Sequence, residues 1–256
     1  MARESSMEEL LKAAFWNQMN KVFTALPCIV VNVQNDLKEL RVDVQPTLNT
    51  LYQDKTTTPR PVIINVPVIF PATSTSALTM PVNVGDTMLC IFSMRAMEVW
   101  GESDGKPTTP NNHAKFNKKD AMAIAGLFPR KNSINNQSKR TLPHNTKDTV
   151  LAHNIGKSNE VEIRLKANGD VKITSSTKVE VVCANAVVNA TGSLAVTSPT
   201  STFNGNVVVN GNVNSTGTIT APNVVGTTDV TGGGKSLLSH LHSAVMSGGS
   251  NSGPPV

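Results

Sequence analysis

The chain has 256 residues, a net charge of +5 and only 16% charged side chains, against roughly 25% in ordinary soluble domains. Aromatic residues make up just 4%, so a monomeric core would be thin and we expect the chain to bury surface against copies of itself. No aromatic side chains are interleaved with the basic residues, so the usual signature of nucleic-acid binding is missing and no specific nucleic-acid partner is expected.

Signals of the secretory route are also missing from the sequence. It has neither a signal peptide nor a run of about 18 apolar residues. The three cysteines, Cys28, Cys90 and Cys183, are far apart and lie in apolar runs. They are interpreted as small buried side chains rather than as a disulfide framework. We therefore expect a protein made and folded in a reducing cytoplasm.

Residues 5–24 predict one amphipathic helix within an N-terminal segment, residues 1–25. Serines stand where the helix begins, and Glu8 and Glu9 fall in the first turn, where the helix dipole favours negative charge. Apolar residues follow at a period of about 3.6, and Pro27 is expected to end the helix. Such a helix must dock on its own domain, on a neighbouring subunit or on a partner protein.

Residues 26–105 alternate between apolar and polar side chains in short runs separated by turn residues. About five strands without an intervening helix predict an OB-fold-like barrel, with a small β-sandwich as the alternative. Residues 106–157 are polar and contain several prolines. We interpret them as a connecting strap that lies over the barrel, with one apolar island at residues 120–129.

The pattern changes in residues 158–230, which we assign to a shaft. Residues 159–175 predict a β-hairpin that turns at Asn168-Gly169. Glu160 and Glu162 lie on its first strand, and the simplest interpretation places both in solvent. No enzyme is indicated, because no inserted globular segment rich in aromatics and carboxylates lies between barrel and shaft.

The shaft contains a long stretch without charge. No Asp, Glu, Lys or Arg occurs from Val181 to Thr228, and the tetrapeptide Asn-Gly-Asn-Val begins at Asn204 and again at Asn210. Exposed edge strands of soluble proteins normally carry charged residues, which prevent pairing with strands of other molecules. A neutral run rich in Val, Thr and Asn therefore predicts strands wound with other copies into a trimeric β-helix or β-prism. A disordered tract is the alternative, which the alternating β-branched residues disfavour.

Residues 231–256 form a glycine-rich apex around His240 and His242. Side chains at positions i and i+2 of an extended strand share a face, so both imidazoles project together. Three copies around an axis would supply six imidazole nitrogens, which suit an octahedral transition metal and argue against tetrahedral zinc. By itself this triplet is also compatible with two exposed histidines in a floppy tail.

Taken in order, these parts resemble the central spike proteins of contractile-tailed bacteriophage baseplates. The residues that carry the resemblance are 84–93 and Trp100 in the barrel, and His240, His242 and residues 252–255 at the apex. The resemblance covers nearly the whole chain. It implies a mainly β homotrimer whose two apex histidines from each copy bind one structural iron ion per trimer.

The resemblance also implies a function and a location. The spike would sit at the tip of the tail baseplate in the virion and pierce the host outer membrane during tail contraction, with the buried iron stiffening its tip. Its N-terminal part would bind other baseplate or tail-tube proteins. A trimeric receptor-binding tail fibre or adhesin is the alternative, although a fibre should end in a larger domain with exposed aromatics.

Overall fold

The computed structural model describes residues 6–35, 39–52 and 54–239, and it divides the chain into two units, residues 1–182 and 183–256. The first unit is mainly β, as predicted, and begins with one helix. None of the helices among the described residues is long and apolar enough to span a membrane.

The N-terminal helix α1 spans Met7–Met19 and is shorter than the predicted 5–24. A capping box starts it: the Ser6 hydroxyl accepts from the backbone N–H of Glu9, and the Glu9 carboxylate accepts from the Ser6 N–H. The helix ends well before Pro27, because the N–H of Phe23 donates to the carbonyl of Phe116 at 3.0 Å and draws the chain onto the barrel.

Strands β1 to β7 lie between residues 25 and 125. In chain order they are β1 (Ala25–Asn35), β2 (Leu40–Pro46), β3 (Thr50–Leu51), β4 (Thr57–Thr58), β5 (Ile63–Ile69), β6 (Thr87–Phe92) and β7 (Ala121–Ala125). Five of them close a barrel in the order β1-β2-β5-β7-β6, while β3 and β4 pair in a separate hairpin. All barrel pairs are antiparallel except β5 with β7. This confirms the predicted barrel and excludes the sandwich.

The barrel core follows from the alternation of its strands. Val42 and Val44 on β2, and Met88 and Cys90 on β6, point inward and are buried, as period-2 side chains on one face must be. Among the described residues, the core contains one buried aromatic residue, Phe92, whose ring centroid lies 5.2 Å from that of Phe23. The core cluster comprises Cys28, Val30, Val42, Val44, Ile63, Val66, Met88, Cys90, Phe92, Ala121 and Ala123.

The predicted strap contributes a strand to the barrel rather than only lying over it. Strand β7 comes from the apolar island and pairs with β6 from Met88↔Ala125 to Phe92↔Ala121. Around β7 the chain forms one short helix, α2 (Glu98–Gly101), and three 3₁₀ turns, at Lys118–Asp120, Arg130–Asn132 and Gln137–Lys139. The barrel is therefore closed only when residue 125 is reached.

A second sheet follows in the first unit. It consists of β8 (Thr149–His153), β9 (Val161–Leu165) and β10 (Val171–Thr174), in the antiparallel order β10-β9-β8. Strands β9 and β10 form the predicted hairpin, and Gly169 adopts the positive φ of +93° that its turn requires. Glycine tolerates that angle because it lacks a Cβ atom.

The second unit contains little regular structure within its described residues. Its strands are β11 (Thr231–Gly232) and β12 (Lys235–Ser236), which form a two-residue antiparallel hairpin. From residue 183 to residue 229 the described chain contains no helix or strand, and every side chain there is exposed.

Candidate functional site

The site consists of apolar surface that a single chain leaves uncovered. From residue 175 to residue 229, no backbone–backbone hydrogen bond is formed among the described residues. Backbone N–H and C=O groups of structured segments are normally paired. The same stretch exposes fifteen large apolar side chains: Val179, Val181, Val182, Val187, Val188, Leu194, Val196, Phe203, Val207, Val208, Val209, Val213, Ile219, Val224 and Val225. We call residues 175–229 the shaft segment.

The shaft segment bends at regular intervals. Glycine or proline stands at successive bends, and the straight runs between them are only a few residues long. The positions are Gly192, Pro199, Gly205, Gly211, Gly217 and Pro222. Short extended runs separated by regular bends are typical of chains that wind around an axis, as in solenoids. The sequence pattern revealed two of these turns through the repeated Asn-Gly-Asn-Val, and the structure adds the others.

Side chains at the start of the shaft segment show which face is polar. Lys178 and Glu180 form an ion pair of 2.9 Å with both side chains largely exposed, so these residues share one face. Alternation then places Val179, Val181 and Cys183 on the opposite face. Cys183 is exposed in the single chain, which contradicts its interpretation as a buried residue, whereas Cys28 and Cys90 are buried as predicted.

The three-stranded sheet also presents an apolar face to solvent. Ile163 lies between Leu151 and Ile173 in the register, and Leu165 pairs with Val171. All five side chains are exposed. They form one continuous patch on the sheet that immediately precedes the shaft segment. The opposite face of the same sheet carries the charged residues, including the buried Glu162. In a sheet that packs on its own core, the apolar face would be buried and the charged face exposed.

Glu160 and Glu162 are buried, so their predicted place in solvent was wrong. The Glu160 carboxylate accepts from the N–H groups of Thr141, at 2.8 Å, and Gly156, at 2.9 Å. It also lies 3.4 Å from Nη1 of Arg140. Burial by itself raises the pKa of Glu160. Backbone N–H donors and Arg140 outweigh burial, so the pKa of this carboxyl lies below its ordinary value of 4.5.

Glu162 pairs with a different arginine. One of its carboxylate oxygens lies 2.5 Å from Nη2 of Arg164, and that nitrogen also donates to the carbonyl of Pro143 at 3.1 Å. The sequence placed the two glutamates on an alternating strand, but it could not show that the strap covers them. The Arg140–Glu160 ion pair and the hydrogen bond from Arg164 to Pro143 hold the strap on the sheet. The apolar face of the sheet is left exposed.

The chain turns sharply just before the apex. Asp229 is the first charged residue after the uncharged stretch, and its carboxylate accepts from the N–H groups of Val230 and Leu238, at 2.8 and 3.2 Å. A hydrogen bond from the Ser236 side chain, together with these backbone donors, lowers the pKa of Asp229. Gly233 and Gly234 make the hairpin turn with φ of +57° and +77°.

The predicted metal ligands, His240 and His242, lie outside the described residues. Within residues 6–35, 39–52 and 54–239, no group of three or more His, Cys, Asp or Glu side chains is arranged to hold a metal ion. Of the apex, residues 231–256, the structure describes residues 231–239.

A comparison with protein-family models gives a match within the first unit. Residues 26–126 are similar to the family model described as the Phage protein Gp138 N-terminal domain. The matched range begins within β1 and ends directly after β7, so it corresponds to the closed barrel. The match indicates a phage protein and is consistent with a phage structural protein. No curated protein matches the chain.

Proposed function

We propose that the protein is the central spike of a contractile phage tail, a homotrimer that pierces the host outer membrane when the tail contracts. The observation that carries this proposal is the shaft segment, which bends regularly, exposes valines, forms no backbone–backbone hydrogen bonds and has no charged residue from Val181 to Thr228. It follows a barrel that resembles a phage domain. The proposed role is structural and involves no catalytic step.

Three copies wound together would bury the apolar side chains and pair the backbone groups that one chain leaves exposed. The apolar face of Val179 and Val181 would turn to the common axis, and the shaft backbones would pair between chains. The patch around Ile163 lies on the preceding sheet and would be covered in the same way. Each exposed valine that becomes buried contributes about 1.5–3 kcal/mol. Bending such a shaft would require many backbone hydrogen bonds to break together, which gives the stiffness that a piercing tip needs.

A metal ion would join the three chains at the apex. Two imidazoles from each of three chains make a six-nitrogen donor set, and we propose one structural iron ion per trimer, bound by His240 and His242. Tight structural metal sites contribute on the order of 10 kcal/mol to folding. Such an ion would hold the three chain ends together at the position where fraying would otherwise begin.

We further propose that the spike is located at the baseplate tip of the virion. The N-terminal part, which contains the barrel, would bind other baseplate or tail-tube proteins. The shaft and apex would face the host outer membrane. The shaft is uncharged along most of its length, so it would offer no ionic attachment to headgroups during passage through the membrane.

Particles that carry a truncated spike test the function. A spike ending at residue 182 retains the barrel and the second sheet. Such particles should adsorb and contract, but they should not admit a chromogenic β-lactam to a periplasmic β-lactamase. Particles with the full chain should admit it. Equal permeabilisation by both particles would refute piercing, and loss of adsorption alone would favour the receptor-binding fibre or adhesin.

A further inference from the structure

Helix α1 carries a row of large apolar side chains that nothing in its own chain covers. Met7, Leu11, Phe15 and Met19 follow at intervals of four residues and therefore lie along one line of the helix. All four are exposed, and no residue of α1 is buried. A helix of this length is marginal in water without tertiary contacts. We call these four residues the α1 row.

A cleft of about 820 Å³ lies at one end of the barrel. Its apolar lining comes from Ala96, Met97, Trp100 and Met122, and Arg95 lies at the same cleft. The volume falls in the range of ~300–1,000 Å³ that is typical of binding pockets. Trp100 is half exposed, and we call this cavity the Trp100 cleft.

Backbone hydrogen bonds connect the base of α1 to the cleft. The N–H of Phe23 donates to the carbonyl of Phe116, and the N–H of Phe116 donates to the carbonyl of Ser93, at 3.0 and 3.1 Å. Ser93 lines the Trp100 cleft. The chain that leaves α1 is therefore attached beside the cleft wall. Neighbouring copies in a parallel trimer would bring each α1 row near a neighbour's cleft.

The link between helix and barrel keeps α1 away from its own cleft. The N–H groups of Asn20, Lys21 and Val22 donate to carbonyls of the last helical turn, at 3.0 to 3.1 Å. These bonds hold the residues between α1 and Phe23 in hydrogen-bonded turns. No residue of α1 lines the cleft of its own chain, whereas the cleft of a neighbouring copy can receive α1 with these bonds intact.

Charge complementarity also favours a second copy. The first turn of α1 carries Glu8 and Glu9, its last turn has no basic residue, and Lys12 is already paired with Glu8 at 2.6 Å. Arg95 has no side-chain partner among the described residues. Residues 102–157, which include part of the cleft, contain ten Lys and Arg against four Asp and Glu.

We propose that the α1 row of one copy docks into the Trp100 cleft of a neighbouring copy and clasps the barrels together. This inference rests on the proposed trimer. The mode is that of an amphipathic helix in a groove, with anchors at i, i+4 and i+8. An aromatic anchor such as Phe15 buries ~150–250 Å² in such a contact.

Disulfide crosslinking between tagged and untagged chains tests the clasp. Both chains carry Cys183→Ser to remove the exposed thiol. Leu11→Cys is placed in the tagged chain and Thr109→Cys, which lines the cleft, in the untagged chain. Mild oxidation of the co-expressed protein should join tagged to untagged chains. Ala13→Cys, on the opposite side of α1, replaces Leu11→Cys in the control and should give no such product.

The outcomes separate the clasp from the trimer. A trimeric mass without the mixed crosslink overturns the clasp alone, and a monomeric mass overturns the proposed function as well. A crosslink confined to single chains that carry both Leu11→Cys and Thr109→Cys shows that α1 occupies its own cleft and also overturns the clasp. A partner protein as the natural occupant would likewise leave the purified trimer uncrosslinked.

Fluorescence gives a second test without crosslinking. The chain has two tryptophans, so Trp16→Phe leaves Trp100 as the sole emitter. Docking should shield Trp100 from acrylamide. Adding Phe15→Ala should raise the quenching constant and shift emission to longer wavelength. Adding Ala13→Ser, on the opposite face of α1, should leave the quenching constant and the emission wavelength unchanged. Equal quenching in all three proteins would overturn the clasp.

Discussion

Met88 shows how an interior residue supports the barrel. It is fully enclosed, on a strand that pairs with both β1 and β7. Met88→Ala should lower the free energy of unfolding by ~2–5 kcal/mol, because it removes buried apolar surface and leaves a cavity. Met94→Ala, at an exposed position, is the matched control. Denaturant unfolding of the two variants measures the difference, and equal midpoints would contradict the assigned core.

Glu160 is expected to make stability depend on pH. Its folded pKa lies below the ordinary value of 4.5, so its contribution is complete above about pH 4.5 and is lost as pH falls through the lower folded pKa. Glu160→Gln should cost ~1.5–3 kcal/mol at neutral pH, because Arg140 loses its charged partner. Urea unfolding as a function of pH measures both effects.

The control for Glu160 is an exposed ion pair. Asp104 binds Lys106 at 2.6 Å on the surface, and such pairs contribute little. Asp104→Asn should leave the unfolding curve unchanged between pH 3 and 7. If Glu160→Gln behaves in the same way, Glu160 does not hold the strap on the sheet.

At the scale of elements, the sequence predicted which segments form strands, but not which parts of the chain pack over them. The barrel strands and the hairpin at Gly169 could be predicted, because period-2 apolar runs and turn residues are local signals. Strand β7 was missed because its buried residues, Ala121 and Ala123, are too small to produce a hydrophobic pattern. The burial of Glu160 was missed because its donors come from the distant strap.

Two neighbouring valines test which face of the shaft segment is turned inward. Val181 and Val182 are 77% and 89% exposed in the single chain, but alternation places them on opposite faces. Val181→Lys should prevent assembly, because it would place a lysine without a partner at the trimer axis. Val182→Lys should assemble normally. Size-exclusion chromatography with light scattering distinguishes these outcomes, and equal behaviour of the two variants would contradict the assigned faces.

Cysteine reactivity reports on the same element. Cys183 lies on the face with Val181 and should be protected from a thiol reagent in the assembled protein. Cys90 should be unreactive in either state, because its hydrogen bond with Cys28 and its burial raise its pKa. Denaturation should expose all three thiols. A Cys183 that reacts at once in the native protein would show that the shaft is not wound.

At the scale of the whole molecule, the apex should determine resistance to unravelling. Replacing His240 and His242 together with Ala should remove the metal and lower the resistance of the C-terminal end to heat and protease, while the barrel stays folded. Elemental analysis and mass spectrometry of the proteolytic fragments give the two readouts. A double variant as heat-resistant as the parent would contradict a structural metal.

Native mass spectrometry tests the central claim most directly, that three copies cover the shaft which one copy leaves bare. The account predicts a single species of three times the chain mass of 27.2 kDa, with one iron ion, and a spike ending at residue 182 that assembles less stably. A full-length protein that remains a 27.2 kDa monomer at micromolar concentration would contradict it.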